Sequence, residues 1–323
     1  MRPLQIPGHT ARDTYRVCIS RIRDGVVQQR LAALEDDAVD AAASFDRAVR
    51  ATSLHALDPM VFAPGDQEDH NELLKNYTQR MAKVGTPGRP IYDELRTAPP
   101  RCPLCDHREV TTLDHHLPKS AFALLSVAPT NLVPACSDCN KMKNDTAPGC
   151  AEEETIHPYF DNLGDVQWLS AQVIEQAPAF LRFWVNTPPT WADLLAARVR
   201  YHFDVFGLAA LYGAQASTLL AGIRGAVRRQ LETGGAEAVC AFLEDLAGSW
   251  EEWGEHRSQP LDAGSSSGSG LQPLVLLRGL HRRLILPLYR SKVQRLRHGR
   301  DPLSASPRCR RGFGPRPDLK KSA

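Results

Sequence analysis

Four cysteines in two Cys-x2-Cys pairs, Cys102 with Cys105 and Cys136 with Cys139, constrain this chain more than any other feature. Thirty residues separate the pairs. Two such pairs supply the four thiolates of a tetrahedral structural zinc site, because soft sulfur ligands suit a borderline-soft ion. Between and beside them lie Asp114, His115, Asn131 and Asn140, groups able to hold a hard cation or move a proton. A zinc clip accounts for the cysteines. It leaves these four residues unexplained.

The rest of the composition sets bounds. At 323 residues and 42% hydrophobic content the chain can bury a substantial core in one large domain or two smaller ones. No run of eighteen apolar residues is present, and the most apolar stretch, Leu274 to Leu288, is interrupted by Arg278, His281, Arg282 and Arg283. No membrane span is therefore expected. The first residues, MRPLQIPGHTARDTYR, lack the apolar segment of an export signal. Cysteines concentrated in two tight pairs fit metal ligation in a reducing cytosol, so a cytoplasmic location is expected. The scattered Cys18, Cys150, Cys240 and Cys309 read as buried or loop residues.

A net charge of +2 conceals an asymmetry. Residues 271–323 carry 14 Lys and Arg against 2 Asp and Glu, which leaves 25 against 35 upstream. The body is acidic and the tail strongly basic.

Apolar residues at helical spacing (Tyr15, Cys18, Ile19, Ile22, Val26) and an Ala-rich run predict helices over 11–54, and Asn71 to Val84 resumes the pattern. Pro59, Pro64 and Gly65 mark a loop, and a short helix is expected near Ile91 to Arg96. Val166–Val173 and Phe180–Val185 read as strands. Trp191–Phe206, Ala209–Leu231 and Ala236–Trp253 read as amphipathic helices whose apolar faces make the bulk of the core, with Trp191, Phe203, Tyr212 and Trp250 as packing residues. The run AGSSSGSG at 263–270 has linker composition. The chain thus divides into four regions: an N-terminal helical region, 1–98; a central module, 99–163; a C-terminal helical region, 164–262; and a flexible, disordered basic tail, 263–323, with a basic helix at 273–298 as one option and a non-native end as another.

In the centre, Val110 to Leu113 has strand composition and leads into Asp114-His115, and Pro118 turns the chain. Lys119 to Ser126 reads as a short helix or loop, and a helix is expected to begin within Asn140 to Asn144. The order is two short strands and a helix, crossed by a metal.

The strings LDHHLPKS, NLVPAC and CSDCNKMK, with the flanking Cys102-x2-Cys105, resemble the zinc-bearing HNH endonucleases over residues 102 to 143. HPYFDN at 157–162 resembles the segment just downstream of the motif in some bacterial members. The resemblance implies a mainly α chain with a small embedded ββα-metal (HNH) module stapled by a four-cysteine zinc site. It implies that His115 is the general base, because a neutral imidazole takes a proton from water near neutral pH. Asp114 and Asn140 would ligate one divalent ion, Mg²⁺ or Mn²⁺, for which oxygen donors are suited. Asn131 would orient His115 by fixing its ring or its loop. Lys141 and Lys143 would contact phosphate, helped by a helix start at that point. The zinc would replace a core too small to form alone.

His116 occupies a variable position and is expected to pack or face solvent, since alternate strand residues face opposite sides. His157 is expected to be structural. The implied activity is DNA phosphodiester hydrolysis leaving a 5′-phosphate and a 3′-hydroxyl, in a restriction or anti-phage system beside a partner ATPase or other defence protein. A different class, a non-catalytic zinc-binding adaptor for nucleic acid or protein, fits the cysteines alone. An acidic body is unusual for a stand-alone duplex binder, so the basic tail or a partner is expected to deliver DNA. No Walker-type phosphate loop is present.

Overall fold

The computed structural model describes residues 1–255 except 2, 165, 175 and 177–179, with side chains described as far as 249. The basic tail, its candidate helix, Cys309 and the packing role of Trp250 lie outside the described residues. The described chain is mainly α-helical, with two small antiparallel sheets.

Three helices open the chain: α1 (Ala11–Ile19), α2 (Gly25–Ala33) and α3 (Glu35–Ala51). Thr10 caps α1 by accepting from the Asp13 N–H, and Asp24 caps α2 by accepting from Val26 and Val27. The first turn of α3 holds Glu35, Asp36 and Asp37, negative charge where the helix dipole is positive. Its buried stripe, Ala38, Ala41, Ala42, Phe45, Ala48 and Val49, repeats at three and four residues. Small side chains there let neighbouring helices approach closely.

The helix α4 (Gln67–Lys75) runs on into a π-helical turn at Asn76–Met81. Such a turn inserts a residue relative to α-helical register and re-aims the side chains it carries. Gly88 seals its end: a Cβ there would lie 2.7 Å from the Arg80 carbonyl oxygen and 2.9 Å from Met81 Cα. Only glycine lets α5 (Arg89–Thr97) begin against that backbone.

The strands β1 (Thr112–His115) and β2 (Leu132–Ala135) pair antiparallel, with Asp114 opposite Val133 and His115 opposite Leu132. The connection holds 3₁₀ turns at Ala123–Leu125 and Pro129–Asn131, so Lys119 to Ser126 is a loop. The helix α6 (Ser137–Lys143) begins directly after β2, capped by Cys136, whose sulfur accepts from the Cys139 N–H at 3.4 Å. It therefore starts three residues before Asn140, earlier than expected, because a cysteine serves as both cap and cluster member.

The second sheet pairs β3 (Leu169–Ile174) with β4 (Phe180–Val185). Two helices complete the described chain, α7 (Asp193–Val205) and α8 (Leu208–Glu255). Gly235 interrupts α8 with φ 66° and ψ −156°, dividing it where the sequence places a break. Among the described residues no single helix is long and apolar enough to cross a membrane; α7 and α8 pass that test only as a pair bent by 63°.

Two cores lie on either side of β2. One joins Tyr15, Phe45, Leu73 and Met81 of the first helices to Leu117, Phe122, Leu125 and Leu132 of the central segment. The other joins the four paired cysteines and Val133 to Leu169, Phe183, Phe203 and Tyr212. Adjacent residues Leu132 and Val133 face different cores, as strand alternation requires. The expectation that the C-terminal helices supply most of the core is corrected: among the described residues of α8 beyond Ala216, only Leu243 and Ala247 are buried. Alanine on α3 and the apolar loop at 117–132 fill that role instead.

Candidate metal centre and adjoining cleft

Two backbone turns bring the cysteine pairs together. In the first, the Cys102 N–H donates to the Arg108 carbonyl at 2.8 Å and the Asp106 N–H to the Cys102 carbonyl at 2.7 Å. The second is the β2–α6 junction. All four sulfurs are buried and lie within 4.8 Å of one another. A zinc–sulfur bond of about 2.3 Å places tetrahedral sulfurs about 3.8 Å apart, so the cluster fits a zinc ion. Hydrogen bonding among the four buried cysteines draws Cys136 and Cys105 below the usual thiol range and pushes Cys102 and Cys139 above it, so the four thiols share their protons as one group.

The C-terminal helices grip this centre from outside. Tyr212 on α8 donates to the Cys105 carbonyl at 3.1 Å. His202 on α7 lies 2.8 Å from the Leu104 carbonyl through Nε2, and its Nδ1 accepts from the Ile156 N–H at 3.2 Å. With a carbonyl on one side and an N–H on the other, the tautomer is set: Nε2 carries the proton.

On the other side of the β1–α6 unit opens a cleft of about 380 Å³ lined by Asp114, His115, Lys119, Asn140, Lys141 and Asp145, among others. His115 closes β1. Its Nε2 is 2.8 Å from the Ser126 carbonyl, which can only accept, so Nδ1 is left as the free acceptor. Ser126 is itself tied to α4, its hydroxyl donating to the Leu73 carbonyl at 2.9 Å. The Tyr77 ring meets the imidazole edge-on with centroids 4.4 Å apart, and the Tyr77 hydroxyl donates to the Leu113 carbonyl at 3.0 Å. Burial, aided by the charges of Lys119 and Lys143, pushes the His115 pKa down to about 3, so the ring is neutral near pH 7.

Asp114 is 4% exposed, and burial raises its carboxyl to about 6 against the opposing pull of Lys143. The Lys143 ammonium lies 3.3 Å from Asp114 Oδ2 and donates to the His115 carbonyl at 2.6 Å. This corrects the expected role of Lys143 as a phosphate contact: it is buried and committed to an ion pair. The expected helix start is also misplaced. Lys141 and Lys143 stand in the last turn of α6, where the helix dipole does not attract anions, although Lys141 is exposed at the cleft.

Asn131 does not reach the cleft. It is fully buried, accepting from the Leu117 N–H at 2.8 Å and donating to the carbonyls of Leu117 and Leu125 at 3.1 and 3.3 Å. It thus closes the loop that leads away from His115. Asn131→Ala would strand a buried N–H and deprive two carbonyls of their partner, and is expected to cost about 2–4 kcal/mol, read as a shift in urea midpoint. An unchanged midpoint would remove Asn131 from any supporting role.

His116 packs away from solvent, its ring 4.3 Å from that of His157 and 6.3 Å from that of Phe45. The HPYFDN segment braces the back of this unit. Tyr159 donates to the Leu132 carbonyl at 3.0 Å, and Asp161 pairs with the buried Arg198 of α7 at 2.6 Å.

Burial lowers His157 and His202 to about 3 each. In the unfolded chain they take up protons below about pH 6.5, whereas the folded chain resists until near pH 3. Stability is therefore fully present at neutral pH and falls with acidification across that window, by on the order of 1 kcal/mol per pH unit for each histidine. Urea melts between pH 7 and pH 5 check this; a flat midpoint would contradict it.

Sequence patterning carries no sign of Tyr77 or Ser126, since neither lies at motif spacing. Lys119 stands inside LDHHLPKS, and its position before a turning loop is the available signal.

No family model matches the chain. No solved structure matches it. Among curated proteins it is similar to Protein ea31 of Escherichia phage lambda, 31% identical over 169 residues, which covers 50% of this chain and 56% of that protein. The chain spans about half the length of the curated relative it matches.

Proposed function

We propose that this chain is a metal-dependent endonuclease of the HNH type that hydrolyses DNA phosphodiester bonds. One observation carries the reading: an open cleft holds a neutral His115 with Nδ1 free, beside Asp114 and Asn140. That combination offers a proton acceptor next to oxygen donors. The donor set, a carboxylate and an amide oxygen, suits Mg²⁺ or Mn²⁺ rather than a soft metal, and Asp114 and Asn140 would hold the ion. Bound there, it would offset charge developing on the phosphate and on the departing 3′ oxygen.

The protein's own groups do the rest. His115 Nδ1 accepts a proton from water as the water oxygen bonds to phosphorus. The bond from phosphorus to the 3′ oxygen breaks and that oxygen takes a proton from solvent water, giving a 5′-phosphate and a 3′-hydroxyl. The Ser126 carbonyl holds the tautomer and Asn131 holds the loop. Without a metal, Lys143 supplies the counter-charge that a buried Asp114 needs. The zinc centre is the scaffold, and the basic tail or a partner protein of a defence system, such as an ATPase, brings in the DNA.

The test is plasmid cleavage with Mg²⁺ or Mn²⁺, with and without a chelator added briefly. Metal-dependent nicking or linearisation is expected. An intact plasmid under every metal favours the alternative, a zinc-binding adaptor without catalysis.

A further inference from the structure

The cleft needs a cation to receive an anionic phosphate, and Lys143 is spent on Asp114. Resting on the nuclease reading, the geometry points to Lys119 as the phosphate-binding subsite of this cleft, seated on the ring of Tyr77. Lys119 lines the same cleft as Asp114, His115 and Asn140. Its ammonium lies 5.7 Å from the Tyr77 ring centroid, within reach of a cation–π contact. Among the described residues no carboxylate forms an ion pair with it, whereas the other cation near Asp114 is fully engaged. Lys119 is half-buried as a residue, and a cation over an aromatic face without a carboxylate partner is one that a phosphate oxygen can complete.

Tyr77 makes two contacts that serve one end. Its ring packs edge-on against His115 at 4.4 Å, and its face carries Lys119. It is therefore a positioning residue that sets the base and the phosphate cation at a common spacing. The π-helical turn at Asn76–Met81 is what aims it there, and its hydroxyl, donating to the Leu113 carbonyl, pins the ring to β1. Lys141, exposed on α6, has no such seat.

The experiment uses the full chain with a short labelled DNA duplex, with Ca²⁺ in place of Mg²⁺ so that binding is read without cleavage. Lys119→Ala is expected to weaken binding about tenfold and to lower the slope of log Kd against log salt by about one. Lys119→Arg is expected to restore most of both, and Lys141→Ala to change either less. Tyr77→Phe, which keeps the ring, is expected to bind as wild type does, whereas Tyr77→Ala shifts toward Lys119→Ala. Circular-dichroism melts confirm that each variant is folded. Unchanged affinity and salt slope in Lys119→Ala, or no duplex binding by the wild type, would overturn the subsite. Cleavage is scored separately: weakened binding in Lys119→Ala with an inert wild type would sink the nuclease reading and leave the subsite standing.

Discussion

Cys102→Ser or Cys136→Ser is expected to unfold the centre of the protein and to release the zinc. A structural zinc site with four thiolates contributes on the order of 10 kcal/mol at neutral pH, comparable to the whole stability of an ordinary domain, about 5–15 kcal/mol. Losing one of the four thiolates therefore forfeits a large share of what holds the centre together. The effect should not stay local. Tyr212 and His202 hold the carbonyls of Cys105 and Leu104, so collapse of the knuckle also frees α7 and α8 from the centre. Metal analysis, expected to find one zinc per chain, and thermal melts of both variants make the measurement. A serine variant that melts with the wild type, or a wild type without zinc, would discard the metal scaffold.

His115→Gln is expected to lower plasmid cleavage by about 10²–10⁴-fold while the protein stays folded and keeps its zinc. That loss equals about 3–5 kcal/mol of transition-state stabilisation. The glutamine amide can still donate toward the Ser126 carbonyl, so the loop should hold, whereas alanine would leave that carbonyl buried without a partner. The two substitutions separate by readout: the cysteine variants lose structure, and the histidine variant loses chemistry alone. Equal cutting by wild type and His115→Gln would identify a contaminating nuclease.

Much of the secondary structure is legible in the sequence, because strong local signals agree with the final packing. Helical spacing locates α1 and α5, and Gly234 and Gly235 mark the break in α8. The start of α6 is harder to read because Cys136 looks like a ligand alone, although a sulfur with a free lone pair can also cap a helix. The candidate site residues Asp114, His115 and Asn140 stand out in the sequence through the motif resemblance of LDHHLPKS and CSDCNKMK, and the fold brings them to one cleft. The commitment of Lys143 is not. It depends on a lysine in the last turn of α6 reaching across to β1, and sequence separation carries no record of that distance. The seat of His115 is equally hidden, since Leu73 and Tyr77 belong to α4 and its π-helical turn, far upstream of the motif.

The strand β2, with Leu132 turned to one core and Val133 to the other, has a consequence for how such a chain can be inherited. The forty-odd residues that carry the motif are not a cassette. Moved into another protein they would arrive with one face missing its alanine-rich helix and the other missing its α7–α8 clasp. The transferable unit is the motif together with both flanks, so recombination that preserves the cleft must cut well outside it.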